Sequence, residues 1–332
     1  MVTPIYNVII IGAGNIGAGY DTSNSVNYLT HAHAFTDHKG FNLLGFVDPN
    51  LSIAKKAALK WSVSYYLSIE EAFNENKIDV VSVAAPDEYH YDILKKLSKY
   101  RPLFVFSEKP FVKTIDEAKE ILLLYKKKNI PAAINFKRRF IPEIIDLKDK
   151  IVNKVFGDFI FGIAYYGKGF IHNGSHTFDL LLFLLDKNWE FDKLIDETID
   201  FGKNDPSYSL LLKGNRDEHF LIKALDSINF SAFEFDFIFN KGRIRITDLG
   251  SIIEEYKVKQ NGIFTKFRTL EIENVIKTQL TNSLLFSVNH IYRYLNEGNE
   301  LLCSFEETLR GMELMNKITS EIINGKISNT RR

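Results

Sequence analysis

Lys109, His176 and Asp179 are the side chains of this sequence whose types and placement suit proton and charge handling. Lys109 lies between Glu108 and Pro110, and a proline fixes the direction of the backbone, so the amine is held over whatever the preceding strand opens onto. A lysine so placed can hydrogen-bond a reacting oxygen and stabilise the negative charge that develops on it. His176 is the matching candidate for proton acceptor, because a neutral imidazole near pH 7 suits acid-base work. Asp179 follows three residues later, on the same helical face, where it would orient the ring or bind a substrate hydroxyl. The bland alternative is a buried histidine satisfied by that aspartate.

Such groups need a frame, and the frame starts at residues 8–17. A short apolar run, Val8-Ile9-Ile10-Ile11, breaks into Gly12-Ala13-Gly14-Asn15-Ile16-Gly17, the G-x-G-x-x-G spacing of a dinucleotide-binding turn. Gly12 permits the tight turn, Gly14 lets backbone N–H groups approach a pyrophosphate, and Gly17 lets the next helix lie on the strand. The anion would then sit at the positive end of that helix, on the backbone of residues including Asn15 and Ile16. Asp48, at the end of a second strand over 41–48, would accept from the adenosine ribose hydroxyls and repel a 2′-phosphate, which favours NAD over NADP. The alternative is a helix N-cap before Pro49. The gap from Gly17 to Asp48 exceeds the usual spacing of about 20 residues. The surplus falls in a polar, turn-rich insertion over 18–29, which reads as a loop hanging over cofactor or substrate.

Composition limits the partners. The chain has 332 residues, 42 basic and 42 acidic, so no global field draws it to nucleic acid or an anionic membrane. Its length suggests two domains. Cys303 is its one cysteine, which excludes an intrachain disulfide and suits a reducing, cytoplasmic setting. The first strand begins within a few residues of the start, leaving no room for a signal peptide, and no apolar run reaches membrane-spanning length. The cluster Lys126-Lys127-Lys128 reads as a solvated helix end.

Further strands are expected over 63–67, 78–86, 103–107 and 130–135, alternating with helices over 51–61, from 68, over 87–100 and over 115–128. This alternation specifies an α/β doubly wound parallel sheet, a Rossmann domain assigned to 1–135. Ligands of such sheets bind beyond the carboxyl ends of the strands. The segments 12–17, 48–49, 84–90, 107–110 and 135–139 should therefore converge on one cleft, with Ala85, Pro86, His90 and Glu108 joining the cofactor set. Thr30, His31 and His33 would face that site or simply begin a helix. Beyond about 151 the pattern becomes long alternating strands: 156–166, several across 194–258, and a hairpin of 233–239 with 243–246 turning at Asn240-Lys241-Gly242. Helices are expected over 174–185, 275–296 and 304–323. The second domain, 136–332, is thus an α/β unit with a large open, mostly antiparallel sheet, its last helix free to return to the first domain. Many aromatics read as lying in the exposed phase of this sheet, which suggests a second layer, such as another subunit.

The glycine turn, Asp48, Glu108-Lys109-Pro110, Arg138-Arg139 and the run from His172 to Asp179, in that order, resemble the Gfo/Idh/MocA oxidoreductase family over nearly the whole chain. The resemblance implies NAD(P)-dependent oxidation or reduction of a hydroxyl or ketone on a sugar, sugar acid or nucleotide sugar, with the open sheet making a homodimer or homotetramer. It makes Lys109 and His176 catalytic. Glu108 then orients Lys109, contacts the nicotinamide end or serves as a structural acid. Tyr166 and Lys168 precede His172 closely enough to touch substrate, and Lys168 suits an anionic group. His172 stands where the family pattern has an aspartate, which implies a His172–His176 proton relay or a different recognised group. A metal held by His172, His176 and Asp179 fits the spacing, but the helix start between the two histidines disfavours it. A rival reading is a dinucleotide-sensing protein that kept the fold without the chemistry.

Overall fold

The strand that ends in the glycine turn, β1 (Tyr6–Ile11), is the centre of the first sheet in this computed structural model, which describes residues 4–330. Its last four residues are buried, as a strand covered on both faces requires. β2 (Phe41–Val47), β3 (Ser64–Tyr66), β4 (Val80–Val83), β5 (Phe104–Ser107) and β6 (Ala132–Ile134) complete a six-stranded parallel sheet of order β3-β2-β1-β4-β5-β6. The order reverses between β1 and β4, the point where a doubly wound sheet opens a crevice. β3, β4 and β6 are shorter than expected at both ends, and β2 and β5 at one end.

The helices are α1 (His31–Asp37), α2 (Leu51–Trp61), α3 (Ile69–Glu75), α4 (His90–Leu97) and α5 (Ile115–Lys128). α5 carries a full capping box between Thr114 and Glu117, and its last turn holds Lys126, Lys127 and Lys128. One expectation fails at the first crossover. The glycine turn leads into a single wide turn, Asn15–Gly19, and α1 begins only at His31. The carbonyls left open there are taken by α2: Lys60 Nζ donates to Ala18 and Gly19 at 2.8 and 2.9 Å, and the Trp61 indole donates to Ala18 at 3.0 Å.

The chain divides by contacts into residues 1–140 with 281–309, and 141–280 with 310–332, instead of at 135/136. In the second unit α6 (Pro142–Val152) precedes β7 (Phe159–Tyr166), and α7 (Ser175–Leu185) precedes β8 (Glu190–Thr198), β9 (Ser207–Lys213), β10 (His219–Ala224), β11 (Phe233–Phe239), β12 (Gly242–Thr247), β13 (Ile252–Gln260) and β14 (Arg268–Lys277). These strands form an eight-stranded sheet of order β14-β13-β12-β11-β7-β10-β9-β8, antiparallel except for β7 with β10. β14 overturns the helix expected from 275, since Val275, Ile276 and Lys277 pair with β13. α8 (Ser283–Glu297) belongs to the first unit, as does the beginning of α9 (Phe305–Thr330).

The β11 aromatics are not in the exposed phase. Phe233, Phe235, Phe237 and Phe239 are all buried, while Glu234, Asp236 and Ile238 take the other face. That face carries ion pairs, Arg243 with Asp236 and Arg245 with Glu254 at 3.1 Å. Among the described residues no helix is long and apolar enough to cross a membrane, and no group of three metal-ligating side chains comes together.

Candidate dinucleotide groove and catalytic clusters

Each glycine of the first turn can be judged by what a methyl group would meet. At Gly12, with φ +96°, a Cβ would lie 2.5 Å from the Ala85 nitrogen, and at Gly17 it would lie 2.1 Å from the Gly12 oxygen. These two glycines are packing requirements. At Gly14 a Cβ would meet nothing within 4 Å, because the position opens onto a groove of about 750 Å³. Ile11, Gly12, Gly14, Asn15 and Ile16 line one part of the groove, Val47, Asp48 and Pro49 another, and Ala84, Ala85 and Pro86 a third. These are the carboxyl ends of β1, β2 and β4.

Asp48 fastens its two neighbours together. Oδ2 accepts from the Ala13 N–H at 3.1 Å, and Oδ1 accepts from the Asn50 N–H at 2.9 Å. The cap of α2 is Asn50, whose Oδ1 accepts from Ser52 and Ile53. The N-cap alternative for Asp48 therefore falls to its neighbour, and the carboxylate stands on the groove rim. A dinucleotide fits this donor set: free backbone approach at Gly14, a carboxylate for ribose hydroxyls, and apolar walls from Ile53, Leu67, Ile69 and Ile93. Leu67, Ser68 and Ile69, at the exit of β3, also line the groove and were not among the segments expected there, although the strand-end rule covers them. Tyr20, from the insertion, and Tyr89, from the 84–90 segment, also line the groove, while Ile93 and Lys96, further along α4, gave no signal in the sequence.

Several expected residues stand elsewhere. His90 is buried, with Nδ1 2.7 Å from the Pro110 carbonyl and Nε2 3.0 Å from the Ala85 carbonyl, so it braces two loops and does not line the groove. Gly17, Glu108 and Lys109 do not line it either. Glu108 heads a second cluster, one strand over. Its Oε1 lies 3.0 Å from His31 Nε2 and accepts from Asn135 Nδ2 at 2.6 Å, while its Oε2 accepts from the Lys109 backbone N–H at 3.3 Å. Burial alone would raise this carboxyl, but the hydrogen bond and charge interaction with His31, the bond from Asn135 and the Lys109 charge outweigh it and hold it below the usual range. Lys137 is pushed down by burial, by Arg138 and by Lys109, with Glu108 opposing.

The insertion is not a free flap. Asp21 is buried and accepts from Leu29 N at 2.6 Å, Thr30 N at 3.2 Å and the Thr30 hydroxyl, and it lies 3.0 Å from His33 Nδ1. The His33 ring stacks on Tyr28 at 4.2 Å. Only Tyr20 of this segment reaches the groove lining. Arg139 is buried and pairs with Glu307 at 3.3 Å, a structural use within the first unit.

In the second unit the segment before α7 is a wide turn, Gly169–Gly174, held by acids of the β8–β9 loop. Asp205 accepts from the Ile171 and His172 N–H groups at 2.8 and 2.9 Å, and Asp200 accepts from Lys168 and Gly169. The His172 ring stacks on Phe201 at 4.4 Å, and Lys168 Nζ lies 6.0 Å from the centre of the same ring. α7 begins at Ser175, so His176 and Asp179 share its first turns, Asp179 buried and His176 half-buried. Tyr166 is withdrawn from any ligand: it is fully buried, its hydroxyl donating to the Tyr208 carbonyl at 3.0 Å and accepting from the Tyr208 N–H at 2.8 Å. Sequence reading missed Asp200, Phe201 and Asp205 because a polar loop carries no periodicity to assign it.

The parallel sheet, its order reversal and the groove across it define an NAD(P)-binding Rossmann protein. Residues 6–136 match the family described as "Oxidoreductase family, NAD-binding Rossmann fold", Gfo/Idh/MocA. The D-glucoside 3-dehydrogenase of Escherichia coli is 27% identical over 152 residues, 46% of this chain and 40% of that one. Matched segments cover 27% to 56% of the curated relatives' own lengths. Among solved structures, an Agrobacterium radiobacter oxidoreductase in complex with NAD+, L-tartaric acid and magnesium aligns at TM-score 0.75 and 17% identity, over 96% of this chain and 97% of that one. The transcriptional regulator Gal80p of Kluyveromyces lactis aligns at TM-score 0.75 and 15% identity, over 96% and 93%. At such identities these likenesses carry the fold.

Proposed function

We propose that this protein is an NAD-dependent oxidoreductase acting on a secondary alcohol or ketone of a sugar, sugar acid or nucleotide sugar. The observation that carries this reading is the groove in which Gly14 opens toward a ligand while Asp48 stands on the rim. Bound there, the dinucleotide supplies the hydride acceptor or donor. The backbone of Gly14, Asn15 and Ile16 receives the pyrophosphate. Asp48 accepts from the ribose hydroxyls and repels a 2′-phosphate, which supports NAD over NADP.

Lys109 donates to the reacting oxygen and stabilises its developing charge, with Glu108 as its orienting neighbour. His176 holds the proton that leaves or enters the hydroxyl, and Asp179, one helical step away, orients the ring or binds a neighbouring hydroxyl. Lys168 and His172 sit on the turn ahead of α7, where they contribute to substrate recognition. The sugar class rests on the likeness to the E. coli D-glucoside 3-dehydrogenase. Association into a homodimer or homotetramer is proposed through the second sheet, on which Ile160, Phe161, Ile272 and Val275 are exposed.

A second reading, a dinucleotide-sensing protein without turnover, draws on His172, which stacks on Phe201 at the position where the family resemblance expects an aspartate. One experiment separates the two. NADH and NADPH are titrated by fluorescence, and NAD reduction is then followed with D-glucosides, other sugars, sugar acids and nucleotide sugars. Tight NADH binding with turnover lost in Lys109→Ala and His176→Ala supports the enzyme. Binding without turnover supports the sensor, and absence of binding overturns both.

A further inference from the structure

His31 has no part in the groove, yet it is fully buried and both ring nitrogens are used. Nδ1 lies 2.7 Å from Ser82 Oγ and Nε2 lies 3.0 Å from Glu108 Oε1. An ionised carboxylate only accepts, so Nε2 carries a proton, and Ser82 Oγ can either donate to Nδ1 or accept from it. The ring is thus fixed between β4 and the exit of β5. Its backbone is fixed as well, because Thr30 caps α1 and is itself held by Asp21.

Glu108 receives that hold and passes it on. Its carboxylate meets the Lys109 backbone N–H at 3.3 Å and interacts with the Lys109 charge. Asn135 supports the same oxygen from the end of β6, and Asn135 Oδ1 in turn accepts from Ser287 at 3.4 Å. The charged groups around Glu108 from the neighbouring segments are Lys109 and Lys137, and its negative charge opposes their mutual repulsion. A carboxylate that rotated away would withdraw both the backbone bond and the charge interaction from Lys109.

We propose that His31 is a positioning residue for Lys109, acting through the Glu108 carboxylate. This rests on the reading of Lys109 as the group that polarises the substrate oxygen. His31→Gln keeps an N–H donor near the position of Nε2, whereas His31→Leu fills the space and donates nothing.

The test combines a readout that needs no substrate with one that does. Competitive acetylation by acetic anhydride, followed by peptide mass spectrometry, reports the reactivity of Lys109 against Lys60 as an internal reference; turnover is measured with methyl β-D-glucopyranoside and NAD. His31→Leu should raise Lys109 labelling about threefold or more and lower kcat about tenfold, with KM for NAD unchanged. His31→Gln should stay within about twofold of the parent protein on both readouts. In a Glu108→Gln background, His31→Leu should add nothing further. Unchanged Lys109 labelling in His31→Leu, equal effects of Leu and Gln, or an undiminished effect in the Glu108→Gln background would each overturn the proposal. If labelling responds as stated while neither the parent protein nor Lys109→Ala turns over any sugar, the positioning role stands and the functional reading fails. If Lys109→Ala abolishes turnover and His31→Leu changes nothing, the positioning role alone fails.

Discussion

Asp48 Oδ2 accepts a hydrogen bond from the Ala13 N–H at 3.1 Å, which ties the end of β2 to the glycine turn. The carboxylate has two tasks: it closes the turn with one oxygen and the start of α2 with the other, and it presents negative charge at the groove rim. In Asp48→Asn only one carbonyl oxygen remains, and the charge that opposes a 2′-phosphate is gone. NADH affinity should fall about tenfold while the gap to NADPH narrows, as read by fluorescence titration of both nucleotides. An unchanged NADH to NADPH ratio would remove Asp48 as the discriminating residue.

Gly12 and Gly14 should respond oppositely to alanine. Gly12→Ala places a methyl 2.5 Å from the Ala85 nitrogen in a left-handed backbone region, so stability should drop by about 1–3 kcal/mol or more in urea unfolding. Gly14→Ala meets no protein atom within 4 Å and should unfold with the parent midpoint. Its methyl enters the groove, and the Kd for NADH should rise about tenfold or more. Normal NADH binding by Gly14→Ala would argue against pyrophosphate at this turn.

Under the roles proposed for them at the reacting oxygen and its proton, Lys109→Ala and His176→Ala should each lower kcat by about 10²–10⁴ with little change in NADH affinity. Steady-state kinetics on any sugar that supports turnover, with fluorescence binding alongside, reads both quantities. Loss of binding in parallel with turnover would recast either residue as part of the cofactor site.

Glu108 gives the protein an acid-sensitive term. Its carboxyl titrates lower in the folded chain than its ordinary value of 4.5. The stabilisation is therefore complete above that value and is lost as pH falls through the lower folded one. The stability difference between the parent protein and Glu108→Gln should be constant near neutrality and shrink below about pH 4.5. Urea midpoints measured at several pH values check it, and a difference that stays flat through the acid range would refute the assignment.

Asp21 collects donors from Leu29, from the backbone and hydroxyl of Thr30, and from His33. In Asp21→Ala those buried donors lose their acceptor, at a cost of about 1–3 kcal/mol. Amide hydrogen exchange over residues 20–30 should accelerate while β1 and β4 remain protected. Equal acceleration across the first unit would mean that Asp21 holds the domain and not the insertion.

The sequence by itself determined the first sheet, because each strand there is a local apolar run and, apart from the 18–29 insertion, the βα connections are short. The cleft at the strand ends was legible in Val8-Ile9-Ile10-Ile11, the glycine spacing and Asp48, whereas the strand order came from the structure. The sequence also determined the α7 start and the β11–β12 hairpin, both written in local spacing and turn residues. Tertiary structure decided what depends on distant partners. It turned His90 and Tyr166 from ligand contacts into braces by placing carbonyls and a backbone N–H against them. It broke the first helix after Gly19 and let Lys60 and Trp61 cap the end from another element. It made β14 from a segment whose apolar spacing suits a helix as well, since pairing with β13 outweighs local propensity. And it joined His31, Ser82, Glu108 and Asn135, which stand far apart in sequence, into one buried chain, because parallel strands bring their carboxyl ends together whatever the length of chain between them.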